Sequence, residues 1–257
     1  MVTRLFECEE CHLYFRHPLE KIIQNKKFYE SEYKEKDNIT SLLPDKIGLE
    51  ELINKNFNQG NKNADRYVKL FRSVFPAPEK LKVIDYGCSW GYITFQLLKA
   101  GYDVQGFEIS RIRAAYGNAH LGLDIKTGEN ELRMGNNLFF SAHVIEHHPD
   151  IKGMISLAKK ILTRDGYFIA ISPNGSKEYR YKNQFPFHHA WGKVHPNYLN
   201  AEFYRTIFKN QSFYIGSSPF NLENIQSWEN GQVIDKTDGE ELIAIVKLNQ
   251  SIDGDSR

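Results

Sequence analysis

From Leu81 onward, short apolar runs alternate with stretches whose apolar positions recur at helical spacing. Leu81–Tyr86 (LKVIDY) ends at Gly87 and reads as a strand buried on both faces. Tyr92–Ala100 follows with helical spacing and stops at Gly101, a residue suited to the turn that closes a helix. Asp103–Glu108 predicts a second strand, and Ser110 stands where a hydroxyl would cap a helix over Arg111–Ala119. Leu123–Lys126 predicts a short third strand and Asn137–Ala142 a fourth. A helix over Ile151–Leu162 is expected to end at Asp165-Gly166, and Tyr167–Ser172 predicts a fifth strand stopped by Pro173. Strands separated by helices of this length need right-handed crossovers. The pattern therefore predicts an α/β fold with an open, mostly parallel sheet covered on both faces.

The final third is patterned differently. Leu199–Phe208 reads as a helix, and Ser212–Ser217 and Glu241–Leu248 read as strands joined by a long polar connector, Asn221–Gly239. Two late strands joined this way can pair antiparallel at a sheet edge. Asn63–Phe75 reads as a helix leading into the first strand, whereas residues 1–62 are polar and predict a loop-and-helix appendage without its own core. The expected division is thus an appendage over 1–62 and a main domain over 63–257, with 175–198 as an insertion.

Composition narrows the class. A chain of 257 residues with 33 Lys+Arg against 32 Asp+Glu has no basic field, so nucleic acid is not expected as a partner. No apolar run approaches the roughly 20 residues that span a bilayer, and the N-terminus lacks a signal peptide's apolar stretch. Three cysteines (Cys8, Cys11, Cys88) make no disulfide framework, which favours a cytoplasmic location. No sequence feature indicates an oligomeric state.

VIDYGCSWGYITFQLL places a glycine-containing turn between the first strand and its helix. Gly87 and Gly91 supply positive-φ freedom or close backbone approach, and the helix start offers unpaired N–H groups to an anion. Asp85 adds a carboxylate that can face a cation, and Glu108, ending the second strand, can accept both hydroxyls of a ribose. A carboxylate, a cation and a ribose are the parts of S-adenosylmethionine (SAM).

The segment DYGCSWG resembles the first motif of class I SAM-dependent methyltransferases, with Ser89 in place of the middle glycine. The resemblance continues through FEIS (Glu108, Ile109), TGEN (Gly128, Glu129, Asn130), FFSAHVIEHHPD and LTRDGYFIAISPNG, and covers 81–175 well and 199–248 loosely. It implies a Rossmann-like, doubly wound sheet with an antiparallel C-terminal strand pair, and SAM as cofactor. The implied cofactor contacts are Asp85, Gly87, Ser89, Gly91, Glu108, Ile109, Glu129, Asn130 and His143. Tyr33, in the FYESEY segment, is similar to an aromatic lid residue of relatives that carry an N-terminal C-x-x-C segment.

Gly87-Cys88-Ser89-Trp90-Gly91 also satisfies G-x-S-x-G, the nucleophile elbow of serine hydrolases, with Ser89 as nucleophile. That reading lacks an HGGG-like segment upstream and has no histidine after His195, and it leaves Asp85 and Glu108 without a role. A SAM-binding domain without catalysis is the remaining alternative.

His143, Glu146 and His147 fall at i, i+3 and i+4, and a helical turn would set them on one face. The string resembles the E-x-x-E-H metal segment of some ubiquinone O-methyltransferases. It is more similar to the H-x-x-E-H-like string that lines the cofactor pocket in many relatives, and no metal is assigned to it. Cys8-x-x-Cys11 resembles half of a zinc ribbon found ahead of some glycan-modifying methyltransferases; zinc is not favoured either. Phe185–Asn197 (FPFHHAWGKVHPN) carries aromatics that can stack on an acceptor and histidines that can remove a hydroxyl proton. His188 or His189 is the expected base, with His143 as a further catalytic candidate. The resemblance implies a small-molecule or glycan hydroxyl as acceptor, as in surface-polysaccharide or secondary-metabolite synthesis; the alternative is a quinone, other aromatic or lipid-like acceptor.

Overall fold

The computed structural model describes residues 4–18, 42–58, 61–75, 81–183 and 195–248. The chain divides into two compact units, one of residues 23–136 and one of residues 1–22 with 137–257. The second unit begins with β1 (Arg4–Glu7) and β2 (Tyr14–His17). The first holds α1 (Lys46–Asn54), α2 (Asp65–Val74), β3 (Lys82–Tyr86), α3 (Tyr92–Lys99), β4 (Asp103–Phe107), α4 (Arg111–Leu121) and β5 (Ile125–Lys126). Then follow β6 (Asn136–Ala142), α5 (Ile151–Ile161), β7 (Leu162–Pro173), α6 (Lys177–Lys182), β8 (Asn197–Tyr198), α7 (Ala201–Ile207), β9 (Ser212–Ser217), α8 (Leu222–Gln226), β10 (Gln232–Ile234) and β11 (Glu241–Lys247).

The main sheet has eight strands in the order β10-β9-β11-β7-β6-β3-β4-β5. β3 and β4 pair in parallel from Lys82↔Asp103 to Tyr86↔Phe107, and β4 pairs in parallel with β5. Each of β3 and β4 is buried beyond its first residue, as a strand covered on both faces must be. β11 runs antiparallel to both β7 and β9, the late strand pair that the pattern predicts. The fold is thus mixed α/β and Rossmann-like. In the second unit the core is built from β6, β7 and β11, where Phe139, Phe140, Phe168, Ile169, Ile243 and Ile245 are fully buried. In the first, Trp90 is fully buried against Leu49, Phe57 and Tyr92.

Several local expectations change. Ser110 occupies the cap position of α4, but its side chain makes no capping bond; its amide donates to Glu108 instead. Asp165-Gly166 lies inside β7, because α5 passes directly into extended backbone at Leu162 and the Gly166 carbonyl accepts from the Leu248 amide. The polar connector 221–239 contains α8 and β10, which pairs in parallel with β9. All three residues of β10 are exposed, Val233 and Ile234 among them, and a three-residue strand inside a polar connector is too short to show a period. Residues 4–17 are a β-hairpin, paired from Arg4↔His17 to Glu7↔Tyr14, and β2 also pairs with β8 at Tyr14↔Tyr198. The strands are four residues each and gain their order from β8, which lies far along the chain. Among the described residues, no helix is long and apolar enough to cross a membrane.

Candidate functional site

The β3–α3 turn is left-handed at three places: Gly87 (φ 81°), Ser89 (φ 54°) and Gly91 (φ 83°). Glycine adopts this region without strain; serine does so at a cost. The turn is held by its neighbours. The amides of Gly87 and Cys88 both donate to the Phe107 carbonyl, and the Gly91 amide donates to the Cys88 carbonyl. The Ser89 amide donates to Glu108 Oε2 at 2.9 Å, and the Ser110 amide donates to Glu108 Oε1 at 2.7 Å. Glu108 therefore clamps the glycine turn to the loop after β4. Each of its oxygens has further acceptor capacity, so a diol can still bond to it.

Asp85, next to last in β3, is buried, and its Oδ2 accepts from Thr94 Oγ1 at 2.7 Å. Burial pushes its carboxyl up to about 6, against the Thr94 hydrogen bond and with the charge of Glu108 adding to the rise. Burial also raises Glu108, opposed by the Ser110 and Ser89 amides and by the Arg113 charge. Two buried acids near a helix start form a place where a cation is stabilised. Ile109 is half-buried, and Glu129 and Asn130 are exposed on a 3-10 turn, Glu129–Glu131. The Tyr86 hydroxyl donates to Glu129 Oε1 at 2.5 Å, and the Tyr86 ring stacks on Phe107 with centroids 4.6 Å apart. Asp85, Gly87, Ser89, Gly91, Glu108, Ile109, Glu129 and Asn130 all lie in the unit of residues 23–136. Thr94 and Tyr86 complete this set and are absent from the sequence reading. Thr94 is legible in retrospect, because it falls on the first turn of the helix that follows Gly91.

The second unit holds a separate cluster. His143 has φ 55°, and a 3-10 turn over Ile145–His147 follows it, rather than the helical turn that the spacing suggests. His143 Nε2 lies 2.7 Å from Glu241 Oε1, and its Nδ1 lies 3.7 Å from Glu146 Oε1. Burial works to lower the His143 pKa, but Glu146 and Glu241 outweigh it and bring it to about 9. Burial works to raise Glu146, and the charges of His147, His143 and His195 hold it below the usual range. The rings of His147 and His195 sit 4.5 Å apart. Neither Glu241 nor His195 has a local signal that points to this cluster.

His188, His189 and Tyr33 lie outside the described residues, as do Phe185 and Trp191. Cys8 and Cys11 sit at the tip of the β1–β2 hairpin with free thiols. Hydrogen bonds from the Cys11 amide and thiol lower Cys8. Among the described residues, no third histidine, cysteine or acid joins them in a metal-sized cluster.

No protein-family model matches the sequence, and no curated protein matches it. Among solved structures the chain is similar to magnesium protoporphyrin IX methyltransferase from Synechocystis PCC 6803 with bound SAM, at 16% identity and TM-score 0.55. That match covers 90% of this chain and 98% of the other. It is similar to the plantazolicin methyltransferase BamL bound to a desmethylPZN analogue and S-adenosylhomocysteine (SAH), at 12% identity and TM-score 0.54, over 88% and 94% of the two chains. A TehB-like SAM-dependent methyltransferase from Corynebacterium glutamicum matches at 16% identity and TM-score 0.50, over 77% and 95%. The likeness shows the fold: that of the class I SAM-dependent methyltransferases.

Proposed function

We propose that this chain is a SAM-dependent methyltransferase whose acceptor is a hydroxyl of a small molecule or glycan. The observation that carries the reading is the left-handed Gly87–Gly91 turn clamped by Glu108 beside the buried Asp85. Gly87 and Gly91 admit the methionyl part of the cofactor to the backbone, and Asp85 takes its ammonium directly or through water. Glu108 accepts the ribose hydroxyls, with Ser89 and Ile109 beside it, and Glu129 and Asn130 meet the adenine. The solved neighbours with SAM or SAH bound support the choice of cofactor. The hydrolase reading of Ser89 leaves the buried Asp85 without a ligand to meet.

Methyl transfer from a sulfonium is an in-line displacement. The methyl carbon bonds to the acceptor oxygen as its bond to sulfur breaks, and SAH leaves with the electron pair. The protein must align the three atoms, exclude water and accept the hydroxyl proton. Both ring nitrogens of His143 face carboxylates, so it serves as an anchor for Glu146 and Glu241, and the proton goes to His188 or His189. Tyr33 is assigned to cofactor contact by the resemblance of its FYESEY segment alone. The aromatic content of 185–197 keeps a quinone or other aromatic acceptor as the alternative. The free thiols of Cys8, Cys11 and Cys88 fit a cytoplasmic setting.

Calorimetry with SAM and SAH tests the cofactor, and tritiated-methyl transfer to sugar nucleotides and phenols tests the acceptor. Binding of both ligands with label transfer to a sugar hydroxyl is expected. Absence of SAM and SAH binding, together with labelling of Ser89 by a serine-directed phosphonate, overturns the reading.

A further inference from the structure

Glu146 is 2% exposed, and neither of its carboxylate oxygens makes a hydrogen bond. A buried carboxylate without a hydrogen bond is expensive; His143 Nδ1 approaches Oε1 only to 3.7 Å, and Oε2 has no hydrogen bond. His147 Nε2 stands 3.6 Å from Glu146 Oε1. That separation is too long for a hydrogen bond. It is close to the roughly 3.3 Å kept by two ligands of one tetrahedral ion when each bond is about 2.0 Å. His195 adds a third donor: one ligand atom from each of Glu146, His147 and His195 lies within 4.8 Å of the other two.

The backbone fixes this arrangement. Asn197, at the start of β8, donates its side-chain amide to the His148 carbonyl at 2.8 Å and to the Glu146 carbonyl at 3.4 Å. These bonds tie β8 to the 3-10 turn and so carry His195, two residues earlier, to the edge of Glu146. His143 sits on the outer side, bonded to Glu241.

From this geometry we infer that Glu146, His147 and His195 bind a divalent transition-metal ion. Two imidazoles and one carboxylate favour a zinc-class ion over Mg2+ or Ca2+, which prefer all-oxygen sites. Three protein ligands leave a coordination position for water or a substrate oxygen. The ligand set differs from the one that sequence spacing suggests, because His143 turns to Glu241 and His195 takes its place. Metal binding stands independently of the methyltransferase reading.

The test uses the full chain, stripped with a chelator and titrated with Zn2+ by calorimetry without SAM, with elemental analysis after dialysis. Cobalt substitution reports coordination through visible absorption. One ion per chain is expected. His195→Ala and Glu146→Gln should each weaken binding by more than about ten-fold while circular dichroism stays unchanged. Cys8→Ser/Cys11→Ser should leave the stoichiometry at one. If Glu146→Gln fails to fold, His195→Ala decides, since His195 is half-buried. The inference is overturned if the stripped wild type retains no zinc, if His195→Ala binds it as tightly, or if the cysteine variant abolishes it.

Discussion

Two polar regions of this molecule are built in opposite ways. Around Asp85 and Glu108 most partners are backbone amides, brought together by the pairing of β3 with β4, so the backbone creates the ligand field. Around Glu146 the partners are imidazoles, His143 and His147 on the same turn and His195 from a distant segment, and they stand where amides would. The first is assembled by the backbone of two paired strands; the second by side chains that converge when β8 docks on the turn after β6. Amide donors cannot leave without unfolding the turn, whereas imidazoles can be exchanged or can take up an ion.

Glu108→Ala tests the first construction most severely. It strands the buried amides of Ser89 and Ser110, and a loss of about 4 kcal/mol in chemical denaturation is expected. SAM affinity should fall by about 100-fold in calorimetry. Wild-type stability would break the contrast, because the turn would then not depend on this carboxylate.

Asp85 gives the next effect. Its folded pKa, about 6, lies above the unfolded value of 3.8, so the folded state binds its proton more tightly. The stabilisation is fully present below pH 3.8 and is lost as pH rises through 6, a contribution of about 3 kcal/mol. Comparing the pH dependence of stability of wild type and Asp85→Asn isolates it. SAM, which brings a cation, should bind more tightly as pH rises from 5 to 7 and release a proton on binding; a flat pH profile would remove Asp85 from the ammonium.

Gly91→Ala follows, at about 2 kcal/mol, since φ is 83° and the new methyl would meet the Leu123 and Ile125 side chains. Thermal denaturation reads this directly. The smallest effect belongs to the other region. Glu241→Gln should change stability by less than about 1 kcal/mol, because the His143 side chain is 40% exposed and water screens the pair. A larger loss would show that the histidine cluster is as integral to folding as the turn, and would sharpen the comparison against us.

The strand–turn–helix of 82–99 was legible because its signals are contiguous: an apolar run, an acid, spaced glycines, then helical periodicity. Ser89 was legible as a departure from the motif, but its left-handed φ was not, since nothing in the residue type demands it. Glu108 was placed correctly at the end of the second strand, while its grip on two amides came only with the fold. The hairpin of 4–17, the edge strand β10, Glu241 and His195 escaped because their order comes from partners outside any local window.

By itself the amino-acid order determined the alternation of strands and helices and the glycine-bearing turn, because side-chain periodicity and backbone freedom act over a few neighbouring residues. Only tertiary structure decided which donors surround each buried acid and which histidines converge on Glu146. Those choices follow from strand pairing between distant segments, where the free energy of burial is gained only after the chain has closed.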